Sequence, residues 1–354
     1  MRVFISFLVI LFGFVMVHAQ TIESETSGIE GDSQTTNPIP NPANRALALR
    51  ALEDTGLLLI PESTNDRVMA FDPISGDLVD PDFIPADATN LSTPICAIMG
   101  FTGESILVSD QIEDGVLEYG LDGTFIGWFA PAGGPDTSIL DNIRGIALSS
   151  NNTLLVTVGS GSNADTIVEF DSSGNLLGNF VAQASGGLDS PFDVFGRASD
   201  YLVGGITSDF IHSYDLTGAF LSNFSPCNTF PEQIAAAAGG NVLVANFSGT
   251  ESGIMEFTSA GSLVGIYDPA SVGGYRGVYE LPNGNILTSN GSGVHEIDRS
   301  GNLIETKIAG VSARFIEFAP PIVSIPAMGA VKFFIFAIGL VIVALILLRK
   351  NRAA

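Results

Sequence analysis

Short apolar runs separated by turn-forming residues recur along most of the chain. Between about residues 45 and 320, many runs alternate apolar and polar positions, and Gly, Asn, Asp or Ser stands between them. Alternation with a period of two indicates strands with one buried face, and brief apolar runs bounded by glycine are typical of strands. The pattern therefore predicts an all-β domain.

These runs form a repeat. In "NIRGIALSSNNTLLVTVGSGSNADTIVEFDSSGNLLGNF" and in "GYRGVYELPNGNILTSNGSGVHEIDRSGNLIETKI", four strands follow one another with turns between them. The glycine of the last turn recurs at intervals of 40 to 51 residues, at Gly76, Gly123, Gly174, Gly218, Gly261 and Gly301. Six repeats of this kind predict a six-bladed β-propeller of four-stranded blades.

The ring needs a strand to complete its first blade. Residues 312–320, "SARFIEFAP", follow the sixth repeat and are similar to the first strand of the other repeats. We expect this C-terminal strand to close the ring, which leaves no open sheet edge. Residues 44–52, "NRALALRAL", compete for the same position, and the sequence leaves both possibilities open.

The N-terminal residues differ from the repeats. Residues 1–19 carry Arg2 near their start, continue as a long apolar run and end with small residues at positions suited to a cut after Ala19. This arrangement predicts a secretory signal peptide. Residues 20–44 are polar, contain Pro and Gly, and lack periodicity, so we expect a disordered spacer before the propeller at 45–320.

The tail at 321–354 carries a second long apolar stretch. Residues 327–348 are long enough for a transmembrane helix, and the basic "RKNR" after them favours a cytoplasmic end. We therefore expect a type I topology, with the propeller exported outside the cytoplasmic membrane. The tail resembles the bacterial PEP-CTERM and IPTL-CTERM sorting signals, with Ile325-Pro326 at the motif position. That resemblance implies recognition by an exosortase-like membrane protease, followed by anchoring or processing to the cell surface.

Charge narrows the choice of partners. The chain holds 14 Lys and Arg against 38 Asp and Glu, a formal net charge of −24. Such a chain repels the phosphates of nucleic acids, so we exclude nucleic-acid binding.

Two strand pairs carry a family resemblance. "DNIRGIALSSNNTLLVTVGS" and "YRGVYELPNGNILTSN" resemble NHL repeats, which group with the gluconolactonase-like and TolB-like six-bladed propellers. The Asp-x-x-Asn-x-Arg motif of NHL repeats is clear only around Asn65-Asp66-Arg67. The resemblance implies ligand or protein binding more often than catalysis.

Alignment of the repeats places several charged residues in one column of the first strands. The column lies two positions before the central apolar residue and reads Cys96, Arg144, Phe192, Glu232, Arg276 and Arg314. First strands line the channel of a propeller, so we expect Arg144, Arg276, Arg314 and Glu232 to converge at one mouth. Such arginines suit a carboxylate or phosphate ligand. Alternatively, they satisfy Glu232, the neighbouring Asp193 and backbone carbonyls.

A second column follows the second strand of each repeat, at Glu62, Asp110, Gly159, Gly205, Asn246 and Asn290. In gluconolactonase-like enzymes, Glu, Asn and Asp at the channel mouth bind a catalytic divalent cation. The resemblance thus makes Asp110, Asn246 and Asn290 candidate Ca²⁺ ligands. Alternatively, these side chains cap their own turns.

His295 lies in the sequence "NGSGVHEID", which has the look of a glycine loop with a catalytic histidine. Its column otherwise holds Met, Leu and Val and one other histidine, His212, so we expect a packed histidine with apolar neighbours. We assign no catalytic residue and no cofactor. Two function classes remain: an envelope-anchored propeller that binds a protein, a glycan or a small anionic ligand, and a calcium-dependent lactonase-type hydrolase. We favour the first.

Overall fold

The computed structural model describes residues 41–227 and 229–322. Within these residues the strands form six antiparallel sheets of four strands each. This arrangement confirms the predicted six-bladed propeller.

Each blade runs from an inner first strand to an outer fourth strand. The first blade contains β1 Leu57–Glu62, β2 Arg67–Phe71 and β3 Leu78–Ile84. The second contains β4 Pro94–Met99, β5 Ser105–Asp110, β6 Gly115–Gly120 and β7 Phe125–Ala130. The third contains β8 Ile143–Leu148, β9 Leu154–Val158, β10 Thr166–Phe170 and β11 Leu176–Val181.

The remaining blades repeat this order. The fourth contains β12 Pro191–Gly196, β13 Tyr201–Gly205, β14 Phe210–Tyr214 and β15 Phe220–Pro226. The fifth contains β16 Pro231–Ala236, β17 Val242–Asn246, β18 Gly253–Phe257 and β19 Leu263–Tyr267. The sixth contains β20 Gly277–Glu280, β21 Ile286–Asn290, β22 Gly293–Ile297 and β23 Leu303–Ala309.

The first blade is completed by the C-terminal strand β24, Glu317–Ala319. It pairs with β1 in the sheet order β24-β1-β2-β3, with Leu57 opposite Ala319 and Leu59 opposite Glu317. Of the two segments that competed for this position, 312–320 supplies the strand. The strand that follows the sixth repeat therefore closes the ring.

The competing segment forms a helix instead. Helix α1 spans Pro42–Asp54, with the side chain of Asn41 capping its first turn by accepting from the N–H of Ala43. Ala48 and Leu52 are buried against residues of β3, while Leu47 stays exposed. A helix on the outside of a blade needs only one apolar stripe with helical periodicity, which Ala48 and Leu52 provide. The apolar pattern of residues 44–52 is too short to distinguish a strand from such a helix.

The predicted glycine column adopts the geometry that a tight third-to-fourth-strand turn needs. All six glycines have positive φ, between +74° and +86°. At Gly174 a Cβ would also overlap the carbonyl oxygen of Phe129 in the fourth strand of the preceding blade. The glycine thus fixes the turn and permits close packing between neighbouring blades.

Residues 1–40 and 323–354 lie outside the residues that the structure describes. In the part of the chain that the structure describes, no helix is long and apolar enough to span a membrane. The predicted signal peptide at 1–19, the Ile325-Pro326 motif and the helix at 327–348 fall outside the described residues and stay predictions.

Candidate functional site

The first strands β4, β8, β12, β16, β20 and β24 surround the axis of the ring. We call the end at which these strands begin the arginine mouth, because Arg144, Arg276 and Arg314 lie there together with Glu232. The charges of all three arginines act on the Glu232 carboxyl group, and the charge of Arg276 acts on Arg314. The structure thus brings all four predicted residues together.

The predicted column contains one error, in the second blade. Ala97 pairs with Val108 in the same register as Ile146 with Val156. Two positions before Ala97 is Ile95, so Ile95 and not Cys96 is the equivalent of Arg144. The turn between β4 and β5, closed by Gly100 and Ser105, is one residue longer than the turn between β8 and β9, closed by Ser149 and Thr153. The apolar pattern of the sequence does not reveal this extra residue.

Arg144 is held by uncharged partners. Its Nη1 donates to the hydroxyl of Ser190 and to the carbonyl of Pro191, both at 3.0 Å, and its guanidinium lies 4.7 Å from the ring centre of Phe192. Only 5% of its surface is exposed, and its Nε has no hydrogen-bond partner. Burial lowers the pKa of Arg144 to about 10, although the charge of Glu232 opposes this shift.

Arg276 and Arg314 are linked through two serines. Nη1 of Arg276 donates to the hydroxyl of Ser312 at 2.8 Å, and Nε of Arg314 donates to the hydroxyl of Ser63 at 3.0 Å. Those hydroxyls are 3.3 Å apart. Burial, followed by the like charge of Arg276, lowers the pKa of Arg314 to about 10. The serines position both cations without neutralising either.

Glu232 is an acid whose carboxyl group interacts with the charges of all three arginines. It is 3% exposed, and its Oε2 has no hydrogen-bond partner. Burial raises the pKa of Glu232 to about 8, while the charges of Arg276, Arg314 and Arg144 lower it. Within residues 41–227 and 229–322, none of the three arginines comes within 4.0 Å of a carboxylate oxygen. The three arginines therefore have no direct ion pair within the described residues, although the charge of Glu232 acts on Arg144 and those of Glu232 and Glu62 act on Arg314.

Aromatic rings form the floor of the arginine mouth. The rings of Phe192 and Phe315 lie 5.9 Å apart. They belong to the fourth and first blades, which face each other across a six-bladed ring, so this contact crosses the axis. Phe247 adds a third ring 5.7 Å from the guanidinium of Arg276. Arginine side chains on aromatic faces are favourably placed by cation–π attraction.

The candidate Ca²⁺ ligands lie where the sequence places them, at the ends of second strands, but their polar atoms are engaged. Both carboxylate oxygens of Asp110 accept backbone N–H bonds, two each, at 2.8 and 3.0 Å. Asn290 accepts from the N–H and hydroxyl of Ser292, both at 2.8 Å, and Asn246 donates to the carbonyl of Glu251 at 2.7 Å. The carboxylate of Asp110 and the amide oxygen of Asn290 thus act as turn caps, which disfavours a cation site built on these two residues.

His295 is buried as expected, but its surroundings are polar. Its ring nitrogens lie 3.0 Å from the hydroxyl of Thr306 and 3.2 Å from Oδ1 of Asn290. The prediction of apolar neighbours was wrong because it considered one column, whereas these partners come from the fourth strand and from the end of the second strand. Burial lowers the pKa of His295. The side chain serves as a buried hydrogen-bonding bridge.

Two further acidic residues lie on the first strands. Asp193 follows Phe192 along β12, and Glu317 begins β24. The alternative interpretation has the arginines satisfy Asp193, but Asp193 is not among the groups whose charges act on Arg144 or Arg314. The sequence analysis did not identify Glu317. The oxygens of Asp193 accept from the N–H groups of Val194 and Ile234, both at 2.8 Å.

No known family profile matches the chain, and no curated protein sequence matches it. Among solved structures, a chain of a nidogen/laminin complex is 13% identical, with 75% of this chain and 98% of that chain covered and a TM-score of 0.60. A gluconolactonase from Xanthomonas campestris is 16% identical, with coverages of 76% and 94% and a TM-score of 0.53. A streptogramin B lyase is also 16% identical, with coverages of 76% and 92% and a TM-score of 0.51. At these identities the likeness shows the six-bladed propeller fold alone.

Proposed function

We propose that this protein is a non-catalytic binding module that takes a small anionic ligand, of the dicarboxylate or phosphate type, at the arginine mouth. One observation carries the proposal. Arg144, Arg276 and Arg314 direct their hydrogen bonds to serine hydroxyls and a carbonyl, and none pairs with a carboxylate within the described residues. Arg144 is buried, and Arg276 and Arg314 are partly buried. Cations removed from water are normally paired, and an anion would complete this set.

The unpartnered atoms of the site support the same assignment. Nε of Arg144, Nε of Arg276 and Oε2 of Glu232 are all buried without a hydrogen-bond partner. A planar guanidinium presents its N–H groups as a fork that matches a carboxylate or a phosphate. A protonated Glu232 would add one O–H donor to the same anion, since burial favours its neutral form.

Calorimetric titration of the full chain with succinate and with sulfate tests this function. We expect saturable binding, and a loss of about tenfold or more in affinity for Arg144→Ala and for Arg276→Ala. The control is Arg50→Ala, which removes the same charge from an exposed position on α1. No binding by the wild-type chain, or equal affinity in all three variants, would overturn the assignment.

The second candidate is a calcium-dependent lactonase. The gluconolactonase among the structural neighbours favours it, whereas the bonded carboxylate of Asp110 disfavours it. An assay of lactone and simple ester hydrolysis, with calcium and after chelation, separates the two candidates. Hydrolysis that chelation abolishes would replace the binding function by the enzymatic one.

We further propose that the module is exported and held at the cell envelope by its tail. The signal-like residues 1–19 and the sorting-type tail at 321–354 support this localisation. Mass spectrometry of the chain from membrane fractions tests it, since cleavage after Ala19 and a cut near Ile325-Pro326 each leave a defined terminus. An intact chain in the cytoplasm would contradict it.

A further inference from the structure

A cavity opens at the end of the ring opposite the arginine mouth. It has a volume of about 800 Å³, a size that accommodates a small organic ligand. The final residues of several first strands line it, together with the segment after β24. Its apolar walls come chiefly from Ile98, Ile146, Leu148, Phe195, Phe318 and Ile322. We call this space the distal cavity.

Two carboxyl groups also line the distal cavity, Asp193 and Glu317. Asp193 is 3% exposed and is fixed by its two backbone N–H donors. Glu317 is half-buried, and its Oε1 accepts from Nε2 of Gln233 at 2.8 Å. The two acids come from the fourth and first blades, so they face each other across the axis, as Phe192 and Phe315 do.

No cation compensates this pair. Among residues 41–227 and 229–322, neither Asp193 nor Glu317 has a basic nitrogen within 4.0 Å. Burial raises the pKa of both acids, and the charge of Asp193 raises that of Glu317 further. The thiol of Cys96 adjoins both groups and is neutral, because burial raises its pKa as well.

We propose that the distal cavity binds a small hydrophobic amine, with its ammonium group between Asp193 and Glu317 and its apolar body against the cavity walls. A buried carboxylate is costly unless it is paired, and an ammonium group pairs with both acids at once. A neutral or anionic ligand of the same shape would fill the apolar space and leave the acids unpaired. This site is independent of the arginine mouth, because the contact between Phe192 and Phe315 lies between them.

Calorimetric titration of the full chain with phenethylamine and with phenethyl alcohol tests the proposal. The two probes share their shape and differ in charge, so we expect the amine to bind at least about tenfold more tightly. In Glu317→Gln, which keeps an acceptor for Gln233, the advantage of the amine should fall to about threefold or less. Glu104→Gln removes an exposed charge at the rim of the same cavity and should leave the advantage unchanged.

Two further measurements keep the test decisive. Leu148→Trp, at a rim position that is 38% exposed, should weaken both probes by narrowing the cavity. Arg144→Ala should weaken neither, which separates this site from the arginine mouth. The proposal is overturned if the wild-type chain binds the alcohol as tightly as the amine, or binds neither probe at millimolar concentration. That comparison needs no variant to fold.

Discussion

Gly159 lacks a side chain at the place where the guanidinium of Arg144 lies. A Cβ built on residue 159 would overlap Nη1 of Arg144 and lie 2.7 Å from its Cζ. The position that Asp110 and Asn246 hold in other blades is taken here by Val158, which pairs with Thr166 as Asp110 pairs with Gly115 and Asn246 with Gly253. The sequence alignment, which placed Gly159 in that column, was wrong by one residue. Gly159 is the first residue after β9, and its missing side chain leaves the space that the Arg144 guanidinium fills.

Gly159→Ala should weaken anion binding without unfolding the chain. The backbone at Gly159 is not in the left-handed region, so alanine adds only a methyl group, and the end of the Arg144 side chain must move. We expect about a tenfold loss of sulfate affinity and a change in unfolding free energy of less than about 1 kcal/mol. Gly127→Ala, at a position with open space around it, is the control. Wild-type affinity in Gly159→Ala would show that Arg144 does not contact the anion.

Sulfate affinity should fall as the pH rises through about 8. Burial raises the pKa of Glu232 to about 8. Below that pH the Glu232 side chain is protonated and neutral, so it offers no negative charge to Arg144, Arg276 and Arg314. Above it, the carboxylate competes with the anion for those arginines. We expect a decrease of roughly tenfold across the transition, measured with sulfate because its charge is constant in this range. Glu232→Gln should bind sulfate with a flat profile, and a wild-type profile that is already flat would exclude this role.

The same carboxyl group should make the fold less stable at higher pH. The folded chain keeps the proton of Glu232 up to about pH 8, while the unfolded chain releases it near the ordinary pKa of 4.5. Unfolding thus becomes more favourable between these values, by up to about 1.4 kcal/mol per pH unit for one such group. In denaturant titrations, Glu232→Gln should gain stability relative to the wild type from pH 5 to pH 8. A constant difference would contradict the raised pKa.

Gln233→Leu should destabilise the closed ring. The amide of Gln233 donates to the carbonyl of Ile316 and to Glu317, and it accepts from the N–H groups of Val278 and Ile316, all at 2.8–2.9 Å. It therefore joins the fifth blade to the sixth and to the closing segment. Leucine leaves these buried groups unpaired, and we expect a loss of about 2–4 kcal/mol in unfolding free energy. Gln183→Leu, at an exposed position, should be nearly neutral.

Asp110→Asn should destabilise the fold whether or not calcium is present. One amide oxygen cannot replace the two carboxylate oxygens that accept four backbone N–H bonds. We expect a loss of about 1–3 kcal/mol in unfolding free energy, equal before and after chelation. A wild-type melting temperature that drops on chelation would instead favour the calcium alternative.

The repeat allowed the residues of the arginine mouth to be predicted. Residues at equivalent positions of the blades lie at the same end of the ring, so the sequence could group Arg144, Arg276 and Arg314 although they come from three blades. It could not show that Ser63, Ser190 and Ser312 would supply neutral partners, because those contacts join segments that are far apart in the sequence. Whether an arginine forms an ion pair depends on the geometry of the surrounding side chains. Because these arginines form none with a carboxylate of the described residues, they favour an anion site over an internal ion pair.

The two acids of the distal cavity could not be identified by comparing equivalent positions of the repeats. Asp193 lies in a column whose equivalents are Cys96, Gly145, Gln233, Gly277 and Phe315, so no shared chemistry marks it. Glu317 belongs to a strand whose position the sequence left open. The pairing of these acids depends on closure of the ring, which brings the end of the chain to the opposite blade.

Closure by β24 also sets the order in which the molecule can be completed. The strand β1 is among the first segments to be synthesised, and its partner is the last strand of the propeller. Until residues 317–319 emerge, β1 has an unpaired edge, and such an edge can recruit strands from other chains. A chain interrupted before residue 317 would therefore lack the inner strand of its first blade and Glu317, and we expect such truncated products to aggregate or to be degraded.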